Sequence, residues 1–223
     1  TKMKILNVNT NGNKKLVNTS SIRFMIWNLP AEKTCPFATE HCKKFCYAKK
    51  AERLYPQVLP CREKNLEESK TGDFVENMVY TIQKKINSKA YKGKKVYFRI
   101  HESGDFYNKE YTQKWIDIAK HFEDNENIVF LAYTKSLAYF IQCGYGKDFP
   151  NNFIVRSSIW DDTKPESVRD TAIYNFPIYT AFDGDTLEKE IASGNYSKCD
   201  CKDCAECGKC YSKTEHKIAC AIH

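Results

Sequence analysis

Apolar residues along the chain fall into short alternating runs separated by stretches of helical spacing, and that pattern predicts the elements. Ser21-Ile-Arg-Phe-Met-Ile-Trp-Asn-Leu29 reads as a strand and is stopped by Pro30. Between Asn65 and Asn87, Phe74, Met78, Ile82 and Ile86 recur at helical intervals, and Lys95-Val-Tyr-Phe-Arg-Ile-His101 then returns to a β-rich run. Lys109 to Phe122 reads as a helix through Trp115, Ile118 and Ala119, Asn127 to Thr134 as a strand, and Ser136 to Cys143 as a short helix. The alternation repeats: Phe153 to Trp160 is a strand, Pro165 to Asn175 a helix opened by proline in its first turn, and Phe176 to Phe182 a further strand.

Strands alternating with helices predict an α/β fold with parallel strands, arranged as a partial or closed (β/α) barrel with a small cysteine-rich C-terminal metal-binding tail. No glycine-rich phosphate loop follows the first strand, which removes the commonest nucleotide-binding form of an open sheet. The expected division is a barrel-like domain over residues 1–195, carrying an N-terminal cysteine loop, and a metal- or cluster-binding tail over 196–223, too small to fold without its metal. In parallel α/β architectures functional side chains collect at the C-terminal ends of the strands. Those ends are polar here: the Cys35 loop, His101-Glu-Ser-Gly-Asp105, Tyr133-Thr-Lys135, Arg156-Ser-Ser158 and Asp183-Gly-Asp185.

Composition narrows the class. With 223 residues, 42% of them hydrophobic, there is material for one core, and no apolar run is long enough to span a membrane. The polar, Asn-rich lead-in has no apolar signal segment, so a cytoplasmic location is expected. Residues 1–60 carry a net charge of +8 and the remainder −1, so the basic excess lies at the front. Such a patch suits phosphates or other anions, and equally a solvated lysine-rich surface.

Eleven cysteines change the picture most. An odd count in a chain with long periodic segments favours metal binding over a disulfide framework. Cys35, Cys42 and Cys46 stand in one loop with six and then three residues between them; three close thiolates suit an iron–sulfur cluster with one iron lacking a protein ligand. A structural zinc would need a fourth ligand, for which His41 and Cys61 are at hand. At the other end, Cys199, Cys201, Cys204, Cys207 and Cys210 include three consecutive two-residue spacings, consistent with a second iron–sulfur cluster or a zinc ion, with His216, Cys220 or His223 as late ligands. Cys143 reads as a lone buried thiol.

The segments Cys35 to Ala48, Arg99-Ile-His-Glu-Ser-Gly-Asp-Phe106, Tyr133-Thr-Lys-Ser136 and the cysteine-rich end closing on His223 resemble the phage gene-product-eighty-eight family across residues 20–223. More distantly, the loop and the barrel order resemble radical S-adenosylmethionine enzymes, with a wider cysteine spacing than is usual there and Phe45 at the aromatic position. That resemblance implies a four-iron four-sulfur cluster on Cys35, Cys42 and Cys46, with the amine and carboxylate of S-adenosylmethionine chelating the open iron. It further implies an external electron donor and a 5'-deoxyadenosyl radical acting on an unknown substrate, for which a nucleic acid is one candidate. Glu102, Ser103, Gly104 and Asp105 would then receive the methionyl amine; Arg156 and Ser157 would bind its carboxylate or the ribose, and Lys135 would reach an anionic substrate. As a phage product it would work in the cytoplasm of a bacterial host. Two other readings use the same residues: a zinc-stapled nucleic-acid-binding protein without catalysis, motivated by the basic front and fourteen Tyr and thirteen Phe, and an electron-transfer or redox-sensing module.

Overall fold

The computed structural model describes residues 2–199 and 202–222. Seven strands form the sheet: β1 (Ile22–Trp27), β2 (Lys95–Ile100), β3 (Ile128–Thr134), β4 (Phe153–Ile159), β5 (Ile178–Phe182), β6 (Ser197–Lys198) and β7 (Lys217–Ala221). Their order is β1-β2-β3-β4-β5-β7-β6 and all paired neighbours are parallel, so the α/β expectation resolves to a parallel half-barrel. The helices are α1 (Glu40–Lys44), α2 (Tyr47–Leu54), α3 (Val58–Lys70), α4 (Phe74–Ile86), α5 (Lys109–His121), α6 (Leu137–Gln142), α7 (Pro165–Ile173), α8 (Gly184–Ala192) and α9 (Cys204–Cys207).

Period-2 alternation sorts each strand onto two faces. Met25, Trp27, Phe98, Ile100, Phe130, Ala132, Phe153 and Val155 face the helices and pack on Phe74, Met78, Ile82, Trp115 and Phe140. The other, concave face carries Phe24, Ile26, Tyr97, Leu131 and Ile154 and is covered by Leu16 from the N-terminal segment and by Ala205 and Tyr211 from the tail. Tyr97 and Tyr211 stack with ring centroids 4.0 Å apart. Most of the aromatic content offered for base stacking is therefore core; Phe24, Phe74, Phe98 and Phe130 are fully buried.

Three features depart from the periodicity. The helical run ending near Asn87 is two helices, because Thr71 adopts an extended backbone and Gly72 follows it. The cysteine loop folds into α1 and α2 rather than staying open. Beyond Phe182 the chain adds α8 and then β6 and β7, and β7 pairs β5 from Ile178↔Lys217 to Phe182↔Ala221. The sheet therefore runs across the expected boundary at 195/196.

Arg156 holds the tail in place. Alternation on β4 puts it on the concave face, fully buried, where Nε donates to Cys210 O (3.0 Å), Nη1 to Glu215 O (2.8 Å) and Nη2 to Lys209 O (3.1 Å) and Ser212 O (2.9 Å). A guanidinium presents its donors in a rigid fork, which is what four converging carbonyls require. Arg156→Leu is expected to strand those carbonyls and lower unfolding free energy by about 3 kcal/mol or more, with Arg156→Lys recovering only part. Urea denaturation and proteolysis between residues 199 and 216 read both effects, and unchanged stability with an unchanged cleavage pattern would contradict the clamp.

His101, at φ +65°, turns its ring back into the helix layer, against Phe106 (centroids 4.7 Å apart) and with Nε2 2.9 Å from the Tyr111 hydroxyl. Burial, with the Arg99 charge adding, pulls its pKa down to about 3. The folded state thus stays unprotonated over a range where the unfolded chain, with an ordinary histidine near pH 6.5, takes up a proton. Stability should fall as pH drops from about 6 to 4, by about 1.4 kcal/mol per pH unit from this residue. His101→Asn, which tolerates the left-handed backbone, should flatten that slope in urea titrations run at several pH values, whereas an unchanged slope would remove His101 as its source.

Candidate metal centre

The loop that carries Cys35, Cys42 and Cys46 leaves β1 at the C-terminal rim and is stitched to the end of β2. Asn28 Oδ1 accepts from the amides of Glu102 (2.7 Å) and Ser103 (3.1 Å), Leu29 N donates to Ser103 O (3.0 Å), and Ser103 Oγ donates to Leu29 O (2.8 Å). Gly104 sits at φ +82°, and a Cβ there would lie 2.6 Å from Thr34 Oγ1 and 2.7 Å from Leu29 Cβ. Only glycine lets the two backbones approach so closely. The Ser-Gly pair therefore packs against the cysteine loop and positions it, with the Ser103 amide and hydroxyl engaged by Asn28 and Leu29.

The acidic residues of that motif are engaged too. Glu102 Oε1 accepts from Asn13 N (2.9 Å) and Nδ2 (2.8 Å), and its carbonyl accepts from the Tyr47 hydroxyl (2.7 Å). Asp105 is buried; Oδ1 accepts from Thr134 Oγ1 (2.5 Å) and Phe106 N (2.8 Å), and Oδ2 from Lys135 N (3.0 Å). Burial raises its carboxyl pKa, against the pull of these donors.

Local turns aim the thiols. Cys35 N donates to Glu32 O (3.0 Å) and Ala38 N to Cys35 O (3.1 Å); Thr39 caps α1 by accepting from Cys42 N (3.3 Å), and Cys46 is the residue preceding α2. Burial pushes the Cys35 thiol up to about 12, with Asp105, Cys42 and Cys46 adding to it. Burial also raises Cys42, opposed by the Lys135 ammonium. Lys135 is fixed by donation from Nζ to Ser158 O (2.7 Å) and lies over the Trp160 ring at 5.7 Å. Cys35 and Cys42, with one carboxylate and one ammonium nearby, thus share an environment in which their thiolates form readily only against a bound metal.

The donor set of three thiols suits soft-metal chemistry. Four thiolates around a single zinc lie about 3.8 Å apart, as 2.3 Å bonds in a tetrahedron dictate. Among the described residues, the one trio of candidate ligand atoms all within 4.8 Å of one another is His41, Asp161 and Asp162, which contains no thiol. The two fourth ligands considered for zinc are also occupied: His41 Nδ1 lies 2.7 Å from Asp161 Oδ1, and Cys61 Sγ accepts from Asn7 Nδ2 (2.6 Å). Beside the loop opens a cavity of about 460 Å³ lined by Pro36, Phe37, Lys135, Ser157, Ser158 and Asp162, among others. That volume lies in the range of small-molecule sites. Ser157 lines it and shares a 2.7 Å hydrogen bond with Thr171, whereas Arg156, expected beside it as an anion ligand, spends its guanidinium on the tail.

The tail cysteines gather on the concave face. Burial pushes Cys204 up to about 11, with Cys210 and Cys199 adding. Cys210 and Cys220 are also raised by burial, with Cys199 adding to each while hydrogen bonds from Tyr133 and Tyr179 respectively oppose. Cys207 lies beside Tyr97. Cys201 and His223, both expected as ligands, lie outside the described residues. His216 Nε2 lies 2.9 Å from Asn175 Oδ1. Sequence reasoning did not single out Tyr133, Tyr179 or Arg99 as companions of these thiols; the alternation that puts them on the concave face was the available signal.

The chain is 32% identical over 108 residues to the Gene 88 protein of Mycobacterium phage D29, covering 46% of this chain and 42% of that protein. The same identity over the same length holds for the Gene 88 protein of Mycobacterium phage L5, covering 46% and 43%. The matched region is thus less than half the length of these relatives. No solved structure matches the chain, and no helix among the described residues is long and apolar enough to cross a membrane. The family described as Gene product 88 matches residues 3–213, and this chain belongs to it.

Proposed function

We propose that the chain is an iron–sulfur enzyme of the radical S-adenosylmethionine type, with Cys35, Cys42 and Cys46 as the ligands of a four-iron cluster. One observation carries the reading: three thiols from a single loop at the C-terminal rim of a parallel half-barrel, beside a small-molecule cavity, with His41 Nδ1 and Cys61 engaged elsewhere. Three protein ligands on a four-iron body leave one iron for a cofactor. When bound, such a cluster supplies the single electron that cleaves the sulfonium of S-adenosylmethionine.

The chain's own residues then divide the binding work. The Asn28–Ser103 stitch and Gly104 fix where the thiols stand. Lys135, with its Nζ already donating to Ser158 O, places a cation by Cys42 that offsets the charge of a thiolate cluster. Asp105 is buried with hydrogen bonds to both oxygens, whereas Asp162 in the cavity wall accepts from His41 N on Oδ2 and keeps Oδ1 without a hydrogen-bond partner among the described residues, so Asp162 is the candidate for the ammonium of the cofactor. Ser157 and Ser158 offer neutral polar contacts in the same wall. Phe45, next to Cys46 in the chain, stacks on Trp160 with centroids 6.4 Å apart.

Protein purified without oxygen is expected to contain iron and acid-labile sulfide, and to form 5'-deoxyadenosine and methionine from S-adenosylmethionine when dithionite supplies the electron. Cys42→Ser should abolish that product, and Asp162→Asn should weaken S-adenosylmethionine binding about tenfold while leaving the iron content unchanged. A cluster fully loaded on the loop that yields no 5'-deoxyadenosine would contradict the reading.

A further inference from the structure

A second thiol set lies inside the half-barrel, apart from the rim loop. The Cys199 amide donates to Ala219 O (2.7 Å), which carries the β6–β7 pairing of Ser197↔Ile218 and Lys198↔Ala219 one residue further. The β5–β7 register pairs Tyr179 with Ile218, so Tyr179 and Cys220 point to the same face. There Tyr179 lies beside Cys199 and Cys220, and Tyr133 beside Cys210. The two tyrosine rings are 4.5 Å apart, which links the three thiols through one aromatic pair. Cys204 and Cys210 both pack against the concave cluster of Tyr97, Leu131, Ile154 and Tyr211.

We propose that Cys199, Cys204, Cys210 and Cys220 hold an iron–sulfur cluster in the concave interior of the half-barrel. Four soft donors, one after β6, one in α9, one in the turn at 209–211 and one in β7, are brought to the side of the sheet that holds the buried Arg156 and the half-buried Arg99. Arg156 reaches the Cys210 carbonyl, and Arg99, stacked on Tyr133 at 3.7 Å, places its charge near Cys204 and Cys210. Buried cations offset the net negative charge of a tetrathiolate cluster in a site poor in water. Among the described residues no three of these ligand atoms lie within 4.8 Å of one another, so they are not closed round a single zinc ion. Four thiolates fill the ligand positions of such a cluster, so this centre has no vacant iron and differs in kind from the rim site. Cys199 and Cys220 lie outside the run of two-residue spacings, Cys220 entering from β7, whereas Cys207, inside that run, lies near Tyr97 and is not part of the set.

The rim triple variant Cys35→Ser/Cys42→Ser/Cys46→Ser separates the two sites. Purified without oxygen, it is expected to keep iron and acid-labile sulfide in nearly equal amounts. Adding Cys210→Ser should reduce both about tenfold or more, whereas adding Cys207→Ser should leave them unchanged. A rim variant free of iron and sulfide, or one carrying zinc in their place, would overturn the interior cluster, and so would a loss of iron on Cys207→Ser. Should Cys210→Ser fail to fold, the rim variant alone still decides. Its iron content is independent of whether the rim loop cleaves S-adenosylmethionine.

Discussion

Four carbonyls of the C-terminal segment converge on one buried guanidinium, and the rest of the molecule's arrangement depends on that convergence. A parallel half-barrel leaves its concave face in need of cover, since Phe24, Ile26, Tyr97, Leu131 and Ile154 all point there. In this chain the cover comes from residues 204–211 and from Leu16, drawn together by the Arg156 bonds, the Tyr97–Tyr211 stack and a hydrogen bond from Cys204 N to Lys15 O. The consequence is chemical as well as structural. Covering the face with a cysteine-rich segment brings thiols into the interior, while the loop after β1 keeps another set at the rim.

The rim depends on a smaller constraint of the same kind. Asn28 and Ser103 fasten the ends of two neighbouring parallel strands, and Gly104 removes the side chain that would hold Leu29 and Thr34 apart. Cys35 thereby stands next to Asp105, and Cys42 next to Lys135, so the loop's thiols meet one buried carboxylate and one buried ammonium. Membership of the gene product 88 family says which proteins share the sequence pattern; the chemistry is argued from these contacts.

Much of the fold was legible because β-rich runs and stretches of helical spacing follow one another along the chain. Val96, Phe98 and Ile100 on one side of β2, with Tyr97 and Arg99 on the other, announce a strand with two different environments. What periodicity could not reveal was the content of the concave face. Arg156 at a strand end looks like an anion ligand until the tail is seen to occupy the space in front of it. Gly104 was legible as a place of close approach, but the approaching group is the chain's own Leu29 and Thr34. β6 and β7 escaped for a simpler reason: two and five residues, adjoining a dense run of cysteines, give too short a pattern to separate strand from metal-binding loop.

The central claim is that the tail forms an inner layer of the half-barrel, and amide hydrogen exchange on the full chain, purified without oxygen, tests it most directly. The amides of Gly208 and Tyr211, bonded to Cys204 O and Gly208 O, should exchange with protection approaching that of Phe130 in β3. Exchange of those two amides at the rate of an unfolded peptide, with Phe130 still protected, would mean that the tail does not cover the concave face.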